Sequence, residues 1–83
     1  MTYYLYILRC SDDSLYTGIT TDLIRRVTEH NTSPRGSRYT RARRPVELVY
    51  SREYEDRSSA SKAESELKKL SHQEKLTLIE RHH

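Results

Sequence analysis

Three groups of side chains in this chain have residue types that can do chemistry. They are tyrosines, an arginine and a histidine one helical turn apart, and two neighbouring glutamates. Tyr16 lies in the stretch LYTGIT, where a short strand should end and a helix should begin. With only two glycines and one cysteine, the sequence excludes a Cys and His metal cluster, a glycine-rich phosphate loop and a nucleophile elbow. The chemistry therefore has to come from phenol, guanidinium, imidazole and carboxylate groups.

The tyrosines also have to build the core. The chain has seven tyrosines but no Trp and no Phe, so tyrosines must supply nearly all of the aromatic packing. Tyr16 can be a packed ring, a reactive hydroxyl, or both, because a tyrosine has an apolar body and a polar tip. Composition alone favours packing.

Arg26 and His30 are predicted to lie together along one edge of the first helix. At about 100° per residue, the side chain of Arg25 points away from the apolar arc and into solvent. Arg26 and His30 can instead reach toward the sheet, where Arg26 could approach Tyr16. Arg26 can alternatively pair on the helix surface with Asp22 or Glu29, and His30 can simply fill the helix edge. The predicted apolar arc consists of Leu23, Ile24 and Val27.

Glu64 and Glu66 flank the apolar stripe of a later predicted helix, and either carboxylate could hold a divalent ion at the rim of a cleft. Helical periodicity does not choose between them. The alternative is that both are solvated, with Glu64 paired to Lys68 at i+4. The stripe itself consists of Ala60, Ala63, Leu67 and Leu70.

The connection over residues 32–45, TSPRGSRYTRARRP, is basic and has no acidic residue. Connections of about 14 residues are uncommon in small domains and are more often functional than decorative. Arginines supply charge for phosphates, and a tyrosine among them supplies a planar group on which a base can stack. We therefore expect a nucleic-acid-binding segment here, with the candidates Arg35, Arg38, Tyr39, Arg41, Arg43 and Arg44.

Charge and composition indicate a single soluble domain, residues 1–83, with a polyanionic partner. The net charge is +3, and residues 1–45 hold eight basic and four acidic side chains. Cys10 has no second cysteine with which to form a disulfide, so nothing ties the chain to an oxidising compartment. We found no leader and no apolar run of the roughly 18–20 residues that a membrane span requires. The expectation is a cytoplasmic protein that binds DNA or RNA, with no membrane contact and no small-molecule cofactor.

The chemical groups have to be positioned by a short series of elements. Strands are predicted at residues 3–9, 15–19 and 46–52, with a turn at residues 11–14. Helices are predicted from the N-cap candidates at residues 20–22 to about residue 31, and from about residue 58 to residue 70. A last helix should begin at a capping box of Ser71 and Glu74. The order β-β-α-β-α-α predicts an α+β fold, a small, mainly antiparallel three-stranded sheet flanked by helices.

In this order and at these spacings, the residues resemble the GIY-YIG nuclease family, and most closely its small stand-alone bacterial UPF0213 branch. The resemblance covers nearly the whole chain. It rests on Tyr4-Leu5-Tyr6, on Tyr16-Thr17-Gly18 ten residues beyond Tyr6, on Arg26 and His30 in the next helix, and on a later glutamate. It implies the three-stranded fold just described and a metal-dependent endonuclease of DNA repair or processing, with low sequence specificity.

The resemblance also implies roles for individual residues. Tyr6 and Tyr16 match the two tyrosines of the motif, and Tyr4 and Gly18 match structural positions of the motif. Arg26 matches the catalytic arginine, and His30 matches the helix residue one turn later. Glu64 matches the glutamate that binds the metal. The cofactor would be one Mg²⁺ or Mn²⁺. A phenol can orient water or accept its proton, and a guanidinium fork suits a phosphate. Gly18 is expected to allow a tight turn at the end of the strand.

The sequence departs from the family pattern at a few positions. Tyr4 and Thr17 replace the glycine and isoleucine of the family name, Ile19 stands where several members carry lysine, and no asparagine follows Glu64. The resemblance also implies a second possibility, a nucleic-acid-binding module that keeps the fold without catalysis.

Overall fold

A three-stranded antiparallel sheet forms the centre of the computed structural model, which describes residues 1–82. The strands are β1 (Tyr3–Arg9), β2 (Leu15–Thr20) and β3 (Glu47–Tyr54), in the spatial order β2-β1-β3. As the central strand, β1 is covered on both faces, so residues 5–8 are all buried. The three predicted strands are confirmed, with β3 beginning one residue and ending two residues later than predicted.

The three longer helices are α1 (Leu23–Thr32), α3 (Arg57–Lys68) and α4 (His72–His82). Asp22 is the N-cap of α1, because its side chain accepts a hydrogen bond from the Arg25 N–H. The predicted capping box of α4 is present: the Glu74 N–H donates to Ser71 Oγ at 3.1 Å and the Ser71 N–H donates to Glu74 Oε1 at 2.9 Å. The α+β fold is confirmed.

A fourth helix, α2 (Arg38–Arg41), is one turn long and lies inside the segment that was predicted as a connection. Its N-cap is Ser37, whose Oγ accepts a hydrogen bond from the Thr40 N–H at 3.1 Å. A single turn shows no helical periodicity of apolar residues, so the pattern of the sequence did not predict it.

The two faces of the sheet bury two separate clusters, because alternate residues of a strand point to opposite faces. Leu5 and Ile7 pack on the α3 and α4 side with Leu67. Tyr6 and Leu8 pack on the other side, toward α1, with Cys10, Val46, Tyr16, Leu23 and Val27. The α1 side therefore carries both motif tyrosines.

Ile24 does not belong to the packed arc of α1, contrary to the sequence prediction. Its side chain is 83% exposed, whereas Leu23 and Val27 pack against the sheet. Leu23 and Val27 are related by i, i+4 and lie nearly one above the other, while Ile24 is rotated by about 100° from Leu23. The sheet therefore contacts only the narrow stripe formed by Leu23 and Val27.

Among residues 1–82, no helix has the length and apolar character needed to cross a membrane.

Candidate active site

The Tyr6 side chain is the centre of the site. It projects from β1 toward α1, with only 1% of the residue exposed. Its ring centroid lies 6.5 Å from that of Tyr16 and 6.0 Å from that of His30. The Tyr16 and His30 rings meet edge to face at 5.1 Å. The two motif tyrosines and the histidine therefore form one aromatic cluster.

Gly18 makes room for this cluster rather than for a turn. It pairs with Tyr6 across the β1–β2 ladder, and neither glycine of the chain has a positive φ. A Cβ atom on Gly18 would lie 2.5 Å from Tyr6 Oη and 2.7 Å from its Cζ. The turn predicted for Gly18 is wrong, because the strand continues to Thr20. What requires a glycine is the close approach of the Tyr6 ring.

Arg26 approaches the cluster from α1, where its guanidinium opposes the rise that burial causes in the pKa of the Tyr6 hydroxyl. The sequence had predicted an approach to Tyr16. The same guanidinium is paired with Glu29 at 2.9 Å and donates to the Arg35 carbonyl at 2.9 Å. The predicted surface pairing of Arg26 with Glu29 is therefore present, and it coexists with an electrostatic effect of Arg26 on Tyr6. Arg25 is solvated as predicted.

His30 is fully buried and bonded through both ring nitrogens. Nε2 lies 3.0 Å from Tyr6 Oη, and Nδ1 lies 2.7 Å from Thr40 Oγ1. Burial, helped by the nearby charges of Arg26 and Arg44, lowers the pKa of His30 to about 4. The imidazole is therefore neutral at physiological pH. It is buried and hydrogen-bonded on both sides, and so does not simply fill the edge of the helix.

The Tyr6 hydroxyl keeps its proton at neutral pH. The pKa of Tyr6 is raised to about 12, mainly by burial and in smaller part by the nearby Tyr16 and the negative charge of Glu64. The Arg26 guanidinium acts in the opposite direction. The pKa of this one hydroxyl therefore depends on Tyr16, Arg26 and Glu64.

The two candidate glutamates of α3 are now distinguished. The Glu64 side chain is 24% exposed and contributes to the field at Tyr6, whereas the Glu66 side chain is 69% exposed. Lys68 Nζ lies 3.6 Å from Glu64, so the pairing considered as the alternative is also present. Glu64 is the carboxylate of the two whose charge acts on the Tyr6 hydroxyl.

The donor set fits Mg²⁺ or Mn²⁺ at an open site. Within residues 1–82 no group of three or more His, Cys, Asp or Glu side chains could enclose a metal ion. Mg²⁺ does not need such a group, since it is commonly bound through one or two carboxylates together with waters and substrate phosphates. Glu64, a partly exposed carboxylate whose charge acts on the Tyr6 hydroxyl, is a residue that could meet that requirement.

The arginines of the basic segment divide into two sets. Arg43 contacts Asp12 at 3.1 Å, and Arg44 donates to the carbonyls of His30 and Ser33, both at 2.6 Å. Both are partly buried. The exposed members of the predicted set, whose charges face solvent, are Arg35, Arg38 and Arg41.

Tyr39 lies against the cluster from α2. Its ring stacks with that of Tyr16 at 6.0 Å, and the Arg43 guanidinium lies 3.9 Å from its centroid. The ring that the sequence offered for base stacking is thus also a packing partner of a motif tyrosine. Tyr4 is half-buried on β1, opposite Thr20.

Sequence reasoning missed Ser37, Thr40 and the packing role of Gly36. Thr40 and Gly36 are buried, and a Cβ atom on Gly36 would lie 2.7 Å from the Glu29 carbonyl oxygen and 2.8 Å from His30 Cα. The basic segment therefore folds directly onto the end of α1. Only the Ser37-to-Thr40 spacing, which fits an N-cap, could have indicated it.

The comparisons with known proteins agree on one family. Residues 2–77 match the model of the GIY-YIG catalytic domain. A UPF0213 protein of Desulfotalea psychrophila is 56% identical over 77 residues, which are 93% of this chain and 70% of that protein. A UPF0213 protein of Streptococcus agalactiae is 49% identical over 79 residues, which are 95% of this chain and 89% of that protein.

Two solution NMR structures are also similar to this chain. The UPF0213 protein from Bacillus halodurans has 42% identity and a TM-score of 0.62, covering 96% of this chain and 84% of that one. A protein from E. faecalis has 40% identity and a TM-score of 0.66, covering 98% and 85%.

Proposed function

Because the chain belongs to the GIY-YIG family, whose catalytic domain implies a nuclease-type function, we propose that it is a divalent-metal-dependent endonuclease. It hydrolyses DNA phosphodiester bonds with low sequence specificity. The observation that carries this proposal is the packing of Tyr6, Tyr16 and His30 into one aromatic cluster, with the charges of Arg26 and Glu64 both acting on the pKa of the Tyr6 hydroxyl. Phosphodiester hydrolysis needs an oriented water, positive charge for the phosphoryl oxygens, and help for the leaving oxygen.

Arg26 holds the phosphate. Its guanidinium is always charged and presents a planar fork that lysine does not reproduce. Hydrogen bonds to Glu29 and to the Arg35 carbonyl, both 2.9 Å, already fix its direction before substrate binds. A charge that is fixed in advance stabilises the transition state without reorganising during the reaction.

The two motif tyrosines orient the attacking water. Tyr6 has a pKa of about 12 and enters the reaction protonated, so it acts first as a hydrogen-bonding group. Tyr16 packs next to it and is only partly buried, so it is the more exposed of the two motif tyrosines. Removal of either hydroxyl should slow hydrolysis while leaving the aromatic packing in place.

Glu64 is the residue that would hold the divalent ion. Such an ion, when bound, supplies positive charge to the leaving-group side of the phosphate. Lys68 Nζ lies 3.6 Å from the Glu64 carboxylate and partly neutralises its charge in this structure.

The exposed arginines Arg35, Arg38 and Arg41 bind the DNA backbone. Contacts to phosphates position a protein on DNA but do not read its sequence, which is the reason for the low specificity. Affinity should fall steeply as the salt concentration rises, because each phosphate contact releases counterions.

A second candidate function is a nucleic-acid-binding module without catalysis. It is favoured by the internal pairing of the two key charges, Arg26 with Glu29 at 2.9 Å and Glu64 with Lys68 at 3.6 Å. In that case the basic surface binds nucleic acid and the charges serve stability.

The two functions are separated by a cleavage assay on supercoiled, linear, branched and single-stranded DNA and on RNA, with Mg²⁺, Mn²⁺ or EDTA. Glu64→Gln is compared with Glu66→Gln, a matched change on the same helix at an exposed position. We expect metal-dependent cleavage that Glu64→Gln abolishes and Glu66→Gln preserves. Binding without cleavage in either metal would establish the second function, and equal cleavage by the two variants would remove Glu64 from the site.

A further inference from the structure

We propose that Thr40 and Ser37 are positioning residues that hold the His30 proton on Nε2, so that His30 donates a hydrogen bond to the Tyr6 hydroxyl. This inference rests on the proposed function for its catalytic meaning. Its geometric part stands alone. All three side chains are at least partly buried, and those of His30 and Thr40 are fully buried.

The proton assignment begins at the backbone of Ser37. The Ser37 N–H donates to His30 Nδ1, with 3.4 Å between the nitrogens. A backbone N–H can only donate, so Nδ1 is an acceptor there. A neutral imidazole carries one ring proton, and that proton must then be on Nε2. With the proton on Nδ1, two N–H groups would face each other.

The side chains of Thr40 and Ser37 complete a chain of hydrogen bonds with one consistent direction. The Thr40 N–H donates to Ser37 Oγ at 3.1 Å, and Ser37 Oγ lies 3.0 Å from Thr40 Oγ1. Thr40 Oγ1 lies 2.7 Å from His30 Nδ1. Thr40 Oγ1 also lies 3.1 Å from the Ser37 carbonyl oxygen, which competes for the single Thr40 proton. Because the Ser37 N–H makes Nδ1 an acceptor and Nδ1 is the nearer partner, we assign the Thr40 proton to Nδ1 and the Ser37 proton to Thr40 Oγ1.

The consequence reaches Tyr6. Nε2–H of His30 donates to Tyr6 Oη across 3.0 Å. Because the phenol oxygen accepts this hydrogen bond, its own proton is free to be donated to another partner. His30 is therefore not the base that removes the Tyr6 proton. It orients the phenol, which enters the reaction protonated, for hydrogen bonding to the attacking water.

The short helix α2 thus acts on the site through the hydrogen bond between Thr40 and His30. Arg38 and Arg41, which are exposed, lie in the same single turn as Thr40. The element proposed to hold the phosphate backbone is the element that fixes the histidine.

The test is the ¹⁵N NMR signature of the His30 ring in the whole protein, with His30→Gln used to assign its signals. We expect a protonated Nε2 and an unprotonated, hydrogen-bonded Nδ1 at neutral pH. Thr40→Val should shift the Nδ1 resonance toward the value of a nitrogen without a hydrogen bond, and Thr40→Ser should restore it. A protonated Nδ1 in the unchanged protein would overturn the proposal, as would an Nδ1 resonance that Thr40→Val does not move.

Cleavage provides the second readout. Thr40→Val should slow the single-turnover rate about tenfold, the effect of one net hydrogen bond, without changing DNA affinity, and Thr40→Ser should recover the rate. A slow Thr40→Ser enzyme would show that the role is packing and contradict the proposal. If the unchanged protein cleaves no nucleic acid, the proposed function fails, whereas the NMR result still decides the proton assignment.

Discussion

The buried, neutral His30 makes the stability of the fold depend on pH in a defined window. Burial and the charges of Arg26 and Arg44 lower its pKa from 6.5 to about 4, while the charge of Glu29 opposes this shift. In the unfolded chain His30 binds a proton near its ordinary pKa. Stability from the neutral ring is therefore fully present above that value and is lost as the pH falls toward the folded pKa.

The magnitude follows from the two pKa values. For a shift from 6.5 to about 4, the free energy of unfolding should fall by about 2 kcal/mol between about pH 7 and pH 5. That is a large fraction of the stability of a domain of this size, since 60-residue domains are already marginal. Asp56 and Glu74 accept hydrogen bonds from Ser59 and Ser71, which lower the pKa values of the two carboxyl groups. Their contribution to the stability of the fold is lost only at lower pH than that of His30.

The assay is urea unfolding followed by circular dichroism at a series of pH values. The His30→Gln variant is expected to have a lower stability but a much flatter dependence on pH. The matched control is His72→Gln, at an exposed histidine on α4, which should keep the slope of the unchanged protein. Parallel curves for the unchanged protein and His30→Gln would refute the reasoning.

Three further changes test individual contacts. Tyr16→Phe should keep the melting temperature and reduce cleavage about 100-fold or more, the usual contribution of acid–base groups; an unchanged rate would contradict it. Gly18→Ala places a Cβ 2.5 Å from Tyr6 Oη, and should cost about 1–3 kcal/mol in urea unfolding, so a neutral result would refute the packing argument. Thr17 Oγ1 is buried and has no hydrogen-bond partner among the described residues. Thr17→Val should therefore stabilise by about 1 kcal/mol, whereas Thr40→Val, which breaks bonds, should destabilise; the same sign for both would contradict this account.

Local sequence signals predicted the main elements well. The strand at residues 3–9 and the capping box of Ser71 and Glu74 depend on neighbouring residues, so the sequence contains the information directly. The antiparallel hairpin and the helix that begins after Asp22 follow for the same reason.

Contacts between distant residues were not predictable in the same way. The burial of His30 depends on Thr40 and on Tyr6, which are 10 and 24 residues away along the chain. Arg44 is one of five arginines in the basic segment, and nothing in the sequence distinguishes it from the others. Only the fold directs its guanidinium to the carbonyls at the end of α1. The family motif singled out Gly18 for a tight turn, whereas the structure requires a glycine there because the Tyr6 ring packs against it.

The choice between Glu64 and Glu66 illustrates the limit of periodicity. Both flank the apolar stripe of α3, and the helix alone gives them equal standing. Only the packing of α3 on the sheet brings one of them into the field of Tyr6.

Whether Arg26 acts on a phosphate is decided by the single-turnover cleavage rate of Arg26→Lys beside Arg25→Lys. The two changes are chemically identical and lie at adjacent positions, but the Arg26 side chain is 27% exposed and its charge acts on Tyr6, while the Arg25 side chain is 68% exposed. We predict that Arg26→Lys loses about 100-fold or more, as expected for an aligned charge, and that Arg25→Lys stays near the unchanged rate. Equal rates for the two variants would contradict the account.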